Sequence, residues 1–215
     1  MNCYNGSEFD RKRLQSRVQY YIDNATLWQK QQGCSWYWQA HRYAVHLSRM
    51  YGFTLHQTAA VISILSPGTR WSINMRDAEA YCKAARDGDE QPSATTYGPQ
   101  QAKAWGVLNL DRKRACSLSA YDYEDYIGTE YAKKTKAFYW NMLDPTAKDV
   151  VTIDRWVLRA LGLNRDHLSI RQYDAVVEAI RDVARKYKTQ AHKVQATIWL
   201  AVQDEWEEQE ETVPF

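Results

Sequence analysis

The run Ala59-Ala-Val-Ile-Ser-Ile-Leu65 constrains the fold of this chain more than any other segment. Thr54 opens the stretch that contains it and Ser66-Pro67-Gly68 stops it, so the punctuation predicts one short helix. A helix that is apolar nearly all round has no face to offer water, and it has to be enclosed by other elements. A chain of 215 residues, 45% of them hydrophobic, is long enough to build that enclosure as one domain or two closely packed lobes.

Nearly all the remaining sequence also reads as helix, and no useful stretch of two-residue alternation argues for a strand. Ser7 or Asp10 is positioned to cap a helix running to about Asn24, with Leu14, Val18, Tyr21 and Ile22 on one face. A second helix is predicted over Trp36 to Tyr51, closed by Gly52. Helical pattern resumes from Trp71 to about Ala85, and the Gly-, Asp-, Ser-, Thr- and Pro-rich residues 86–99 form the best linker in the chain. Gly98-Pro99 starts a short helix through Leu108, and residues 110–131 read as short polar and aromatic pieces punctuated by Gly128. A lysine-rich helix follows, then a turn from Asp144-Pro145 to Asp149 and a helix over Thr152 to Leu161 ended by Gly162. Ser169 caps a long amphipathic helix to about Tyr187, and a last helix spans Ala191 to about Glu208. About ten helices and no sheet make the expected fold all-α.

The N-terminus, with Asn2, Asn5, Glu8 and Asp10, lacks the basic start and apolar core of a signal peptide, and no apolar run reaches membrane-spanning length. A cytoplasmic protein without a membrane partner is expected. Cys3, Cys34, Cys82 and Cys116 lie far apart with no histidine at zinc-like spacing, so neither a structural metal nor a cluster is expected. Acids crowd the C-terminus, six of them in the last twelve residues, which leaves the preceding 203 residues at +8 against +2 for the whole chain. Such a body suits a polyanionic partner, with the acidic tail as a solvated helix end.

Two features carry candidate chemistry. Asp154 follows Val150-Val151 and precedes Trp156, Val157 and Leu158. In the first turn of a buried helix an aspartate complements the exposed amides; beside a pocket the same carboxylate can orient water or stabilise a cationic sugar. Lys133, Lys134 and Lys136 form either an exposed basic helix face or a site in which one amine attacks a sugar C1′ and its neighbours hold phosphate. Most of the nine Trp and fifteen Tyr sit at core-like helical spacing, but Trp71 follows a Pro-Gly turn and is the best stacking candidate. Gln195 and Trp199 share one helix face and either reach a pocket or serve the core. No phosphate-binding glycine loop supports nucleotide hydrolysis or dinucleotide chemistry.

Lys134-Thr135 with Asn141 downstream, and Thr152-Ile-Asp-Arg-Trp-Val-Leu-Arg159, resemble two motifs of the helix-hairpin-helix DNA glycosylase superfamily, the endonuclease-three-like enzymes. Val61-Ile-Ser-Ile-Leu-Ser-Pro67 followed by Trp71 and Asn74 is similar to a third, and Lys103-Ala104 to a fourth. All occur in the family's order, over roughly residues 55–162. With Gln195-Ala-Thr-Ile-Trp199 the pattern looks most like small glycosylase-like proteins encoded by bacteriophages. Gly128-Thr-Glu-Tyr-Ala132 stands where the family has a Gly-x-Gly hairpin, Trp156 where it often has histidine, and the cluster cysteines are absent.

The resemblance implies a helix-hairpin-helix glycosylase-like fold of two helical lobes with a cleft between them, within a single unit over 1–215. It implies a monomer that binds DNA, extrudes a nucleotide and cleaves the N-glycosidic bond of a modified or damaged base without a cofactor. Asp154 is then the catalytic aspartate and Lys134 or Lys136 the lyase nucleophile. Ser66, Trp71, Asn74, Lys103, Lys133, Asn141, Trp156, Gln195 and Trp199 are the implied DNA or base contacts. The alternatives are a phage-type transferase acting on hypermodified pyrimidines and a non-catalytic binding module on the same fold.

Overall fold

The computed structural model describes residues 8–147, 149–165 and 167–211, with side chains up to 204. Ser7 and Cys3, and the side chains of the acidic run from Glu205 to Glu211, lie outside the described residues. The fold is all-α, with eleven helices and no strand among the described residues. In chain order they are α1 (Arg11–Asn24), α2 (Leu27–Tyr51), α3 (Leu55–Leu65), α4 (Trp71–Asp87), α5 (Gly98–Leu108), α6 (Arg112–Ser117), α7 (Ala120–Ile127), α8 (Lys133–Leu143), α9 (Arg155–Ala160), α10 (Ile170–Lys186) and α11 (Ala191–Glu211). They fall into two compact units, one of residues 1–37 with 146–215 and one of residues 38–145, so α2 contributes to both.

In the second unit α3 is the central element. Every residue from Gln57 to Leu65 is buried, and α4, α5, α7 and α8 pack around it. Thr54 and Gln57 form a capping box at its start, each side chain meeting the other's backbone amide. Polar pegs fix the neighbours: the Thr58 hydroxyl donates to the Ala44 carbonyl of α2 at 2.9 Å, and Gln57 Nε2 to the Val107 carbonyl of α5 at 3.0 Å. Burial would otherwise leave these groups without the bonds water gives them. Near the start of α3, His56 stacks on Tyr123 and its Nδ1 lies 3.1 Å from the Tyr139 hydroxyl, which itself donates to the Ala120 carbonyl. With that hydroxyl proton committed to Ala120, the neutral His56 ring is the donor in this pair.

The expected linker does not separate domains. Residues 88–97 stay inside the second unit, held by Asp77, which accepts from the Thr95 amide at 2.8 Å, and by Gln101, whose Nε2 donates to the Ala94 and Thr96 carbonyls. Gly, Ser and Pro composition reports an irregular backbone, and side-chain anchors elsewhere decide whether that backbone is a joint.

The core of the first unit joins Leu14 and Val18 of α1, Val151 and Ile153, Val157 and Leu161, and the inner faces of α10 and α11. Helix α2 begins at Leu27, nine residues before the predicted start, because Thr26 and Gln29 form a reciprocal cap and Gly33 is absorbed into the helix. Gly33 is there because α11 passes closely: a Cβ at this position would lie 2.7 Å from the Thr197 backbone nitrogen and 2.8 Å from its Cα. The glycine weakens the helix locally by about 1 kcal/mol, and the close packing it permits offsets that.

Two outcomes follow. Gly33→Ala should destabilise the protein by about 2 kcal/mol despite alanine's better helix propensity, seen as a thermal midpoint lower by roughly 4–8 °C; an unchanged midpoint contradicts the close approach. Burial lowers the pKa of His56 below the ordinary 6.5, so the unfolded chain takes up the proton first. Its contribution to stability is complete above about pH 6.5 and is lost as pH falls from there through the lowered native value. Denaturant titrations at pH 7.5 and 5 should therefore show a smaller loss of stability on acidification in His56→Gln than in the wild type; equal losses rule the group out.

Candidate functional site

The lysine half of the expected site is built on α7, α8 and the turn of residues 128–132. Ser119 and Asp122 cap α7 reciprocally, and Gly128 ends it at φ +156°, a backbone conformation that side chains rarely adopt. A Cβ on Gly128 would also meet Ala132 Cβ at 2.9 Å, so the tight return here depends on this glycine. The Ala132 amide closes the turn on the Thr129 carbonyl at 3.0 Å. Helix α8 then starts with no side-chain cap, and Lys133, Lys134 and Lys136 occupy its first turn. Cations at a helix N-terminus oppose the macrodipole, each by roughly 0.3–1 kcal/mol, so this is the wrong end for lysines unless an anion joins them. Lys103 adds another cation here, its Nζ 3.7 Å from the position a Gly128 Cβ would take.

Lys136 lies 3.6 Å from Glu124 of α7, and the same carboxylate accepts a hydrogen bond from the Trp140 indole. Glu124 was not anticipated from sequence: it is twelve residues before Lys136 and only the turn brings them together. The other expected contacts of this unit are packed inward. Trp71 is half-buried, edge-on to Tyr43 and Phe138, and so is fixed in an aromatic cluster. Asn74 is 1% exposed and donates from Nδ2 to the Ile62 carbonyl at 3.1 Å, tying α4 to α3, while Oδ1 has no hydrogen-bond partner. Asn141 is fully buried in α8, and Ser66 caps the end of α3 by donating to the Ser63 carbonyl at 2.8 Å. Burial takes Asn74 and Asn141 off the surface, so they act on any ligand through the helices they fix.

Asp154 belongs to the other unit. It is the N-cap of α9, its Oδ1 accepting from the Trp156 and Val157 amides at 3.0 Å each. The helix accordingly begins at Arg155 and not at Thr152, because a capping residue takes an extended backbone. The strand-like approach Val151 to Ile153 is buried and held by Tyr173 of α10, whose hydroxyl donates to the Val151 carbonyl at 3.0 Å and accepts from the Ile153 amide at 3.3 Å. One buried hydroxyl thus sets the position of the carboxylate. Trp156 is half-buried on the core, with the Arg159 guanidinium 4.6 Å and that of Arg155 5.7 Å from its ring centre. Gln195 is 4% exposed and accepts from the Tyr37 hydroxyl at 2.8 Å; Trp199 packs edge-on against Trp36. Both serve the packing of α2 against α11.

A family model matches residues 2–206, nearly the whole chain. The chain belongs to DUF7178, a family of unknown function. No curated protein and no solved structure matches it.

What this DUF7178 chain can do chemically follows from the two halves. The α7–α8 turn concentrates amides and lysines that suit a phosphate. At α9 a carboxylate is held by its own helix next to an aromatic ring flanked by arginines. Glu124 and Tyr173 were not anticipated from sequence, since nothing local marks a carboxylate or hydroxyl as the partner of a residue a dozen or more positions away. Among the described residues no group of three or more His, Cys, Asp or Glu is placed to hold a metal, and no helix is long and apolar enough to cross a membrane.

The capping geometry makes a stability prediction for the DUF7178 chain. Asp154→Ala removes the acceptor for two amides and should cost about 1 kcal/mol, whereas Asp154→Asn keeps an equally good cap and should cost only a few tenths. Equal losses in urea denaturation would mean that the charge, and not the cap, holds α9.

Proposed function

We propose that this chain is a DNA glycosylase-like protein of the helix-hairpin-helix kind, which extrudes one nucleotide and cleaves the N-glycosidic bond of a modified or damaged base. The observation that carries the reading is the tight turn from α7 into α8: an uncapped helix start with Lys133, Lys134 and Lys136 in its first turn and Lys103 at Gly128. A phosphate suits this place because backbone amides at a helix start and several lysines can meet its oxygens together. In this reading the turn is the candidate for holding the DNA backbone, and Asp154 is the candidate for the carboxylate that acts on a sugar. As the bond between C1′ and the base nitrogen lengthens, positive charge grows on the sugar and the carboxylate stabilises it. The nitrogen leaves with the bonding pair and takes a proton, and water adds to C1′ with loss of a proton. Attack on C1′ by Lys134 or Lys136 in place of water gives a Schiff base and lyase activity.

A non-catalytic DNA-binding module on the same fold is the second reading. It is favoured by Asp154 Oδ1, which is already committed to two amides of α9.

Because asparagine preserves the cap, Asp154→Asn separates the readings. Incubation with DNA bearing modified bases, followed by mass spectrometry of released bases and an abasic-site assay, should show base release by the wild type. The variant should lose it by about a hundredfold or more while DNA binding is retained. Altered base mass without abasic sites identifies instead a transferase on hypermodified pyrimidines. No chemistry, with equal DNA binding by both proteins, leaves the binding module.

A further inference from the structure

The part of α2 that lies in the second unit carries a stripe used neither by the core nor by the proposed site. Trp38, Arg42, Val45, His46, Arg49 and Met50 recur at steps of three and four residues, which places them along one face of the helix. From His41 to Met50 this face lines a shallow concavity, and no acidic residue is among those lining it. Arg42, His46 and Arg49 are exposed, and so are Met50 at 54% and Trp38 at 43%. The opposite face of the same segment is immobilised. Ala40, Ala44 and Leu47 are buried, the Tyr43 hydroxyl donates to the Met75 carbonyl at 2.7 Å, and His41 Nδ1 is 2.6 Å from the Met142 carbonyl. Since a carbonyl only accepts, Nδ1 is the donor in that bond. Its ring in turn meets Trp38 edge-on, with centroids 6.1 Å apart.

This stripe combines two arginines about two helical turns apart, apolar contact between them at Val45, and an exposed indole at one end. Arg42 and Arg49 are seven residues apart, about 10.5 Å along the axis. A regular duplex turns its bases inward and would meet the arginines alone. An acidic peptide would likewise leave the indole and Val45 without a matching partner. A strand with its bases exposed offers phosphates to the arginines and a flat ring to Trp38 at every step, whatever its sequence. We infer that this face of α2 binds a single-stranded stretch of nucleic acid, with phosphates on Arg42 and Arg49 and a base stacked on Trp38. The inference rests on the reading of the ligand as DNA, and it adds a place for the strand where the duplex is opened.

The test is fluorescence anisotropy on the full chain, with a labelled single strand of roughly 15 nucleotides and the matching duplex, over a series of salt concentrations. The wild type should bind the single strand more tightly than the duplex. Arg42→Gln with Arg49→Gln should weaken single-strand binding about tenfold and reduce the slope of log K against log salt by about 1.4, the share of two phosphate contacts. Trp38→Ala should weaken it about tenfold with the slope unchanged. All these side chains are exposed, so thermal midpoints should match the wild type, and a salt slope that moves only for the arginine pair reports contact and not unfolding. Wild-type affinity and slope in the arginine variant overturn the inference; so does preference for duplex, or displacement of the strand by polyglutamate at equal charge concentration. Base release with unchanged binding by the arginine variant sinks this inference alone. Arginine-dependent strand binding without base release sinks the glycosylase chemistry alone, and no nucleic-acid binding at all removes both.

Discussion

The enclosure of α3 is the constraint on which the second unit depends. Its residues from Gln57 to Leu65 are all buried, and burying Ile62, Ile64 and Leu65 contributes roughly 1.5–3 kcal/mol each. That gain exists only if α4, α5, α7 and α8 are all in place, so the helix fixes its neighbours as a set. Apolar burial has no direction, however, and the pegs supply it: Thr58 to the Ala44 carbonyl, Gln57 to the Val107 carbonyl and Asn74 to the Ile62 carbonyl. Each links α3 to a different helix, and each is costly to break because the group left behind is buried. The α7–α8 turn, and with it the lysine cluster, inherits its position from this arrangement.

Asp154 owes its place to a separate core. Tyr173 holds the backbone on either side of Thr152, and burial pushes its hydroxyl well above the usual tyrosine range, which keeps it protonated as the donor to Val151. The chain is thereby brought extended to the first turn of α9, where the carboxylate meets two amides. An aspartate used this way is a structural cap whose carboxylate is held in a fixed orientation. Substitution by asparagine separates the cap from the charge, because the cap needs only an oxygen.

Where local rules decide, the sequence was readable. Thr54 and Ser169 were recognisable caps, and each has its glutamine three residues on; Asp10 caps α1 and Gly52 follows the end of α2, as punctuation predicts. Asp154 was visible as a helix-start acid for the same reason. Helix α2 was expected from Trp36, whereas Thr26 and Gln29 cap a start at Leu27 and Gly33 lies inside the helix. The reason for a glycine there, the close passage of α11, is not local to its sequence. The placement of Asn74 and Trp71 could not be read either. Only the packing around α4 shows Asn74 to be buried on α3 and Trp71 half-buried between Tyr43 and Phe138. The linker reading of residues 86–99 failed in the same way, because Asp77 and Gln101 act on it from helices outside its own composition.

The start of α8 is where the local rules and the fold disagree most. Helices α3, α7 and α10 begin with reciprocal caps, and α10 places Arg185 and Lys186 in its last turn, the end that favours cations. Helices α4 and α5 also lack a side-chain cap, but neither has a lysine in its first turn, and α5 has Pro99 there, which removes one of the amides needing a partner. Only α8 joins an uncapped start to a set of lysines at the positive end of its dipole. Helices α1 and α6 also begin with three cations, but each has an aspartate cap beside them, Asp10 and Asp111. At α8 the residue in that place is Ala132, so the amides of its first turn have no such carboxylate at the cap. Under the proposed reading a phosphodiester backbone meets those amides and the lysines together.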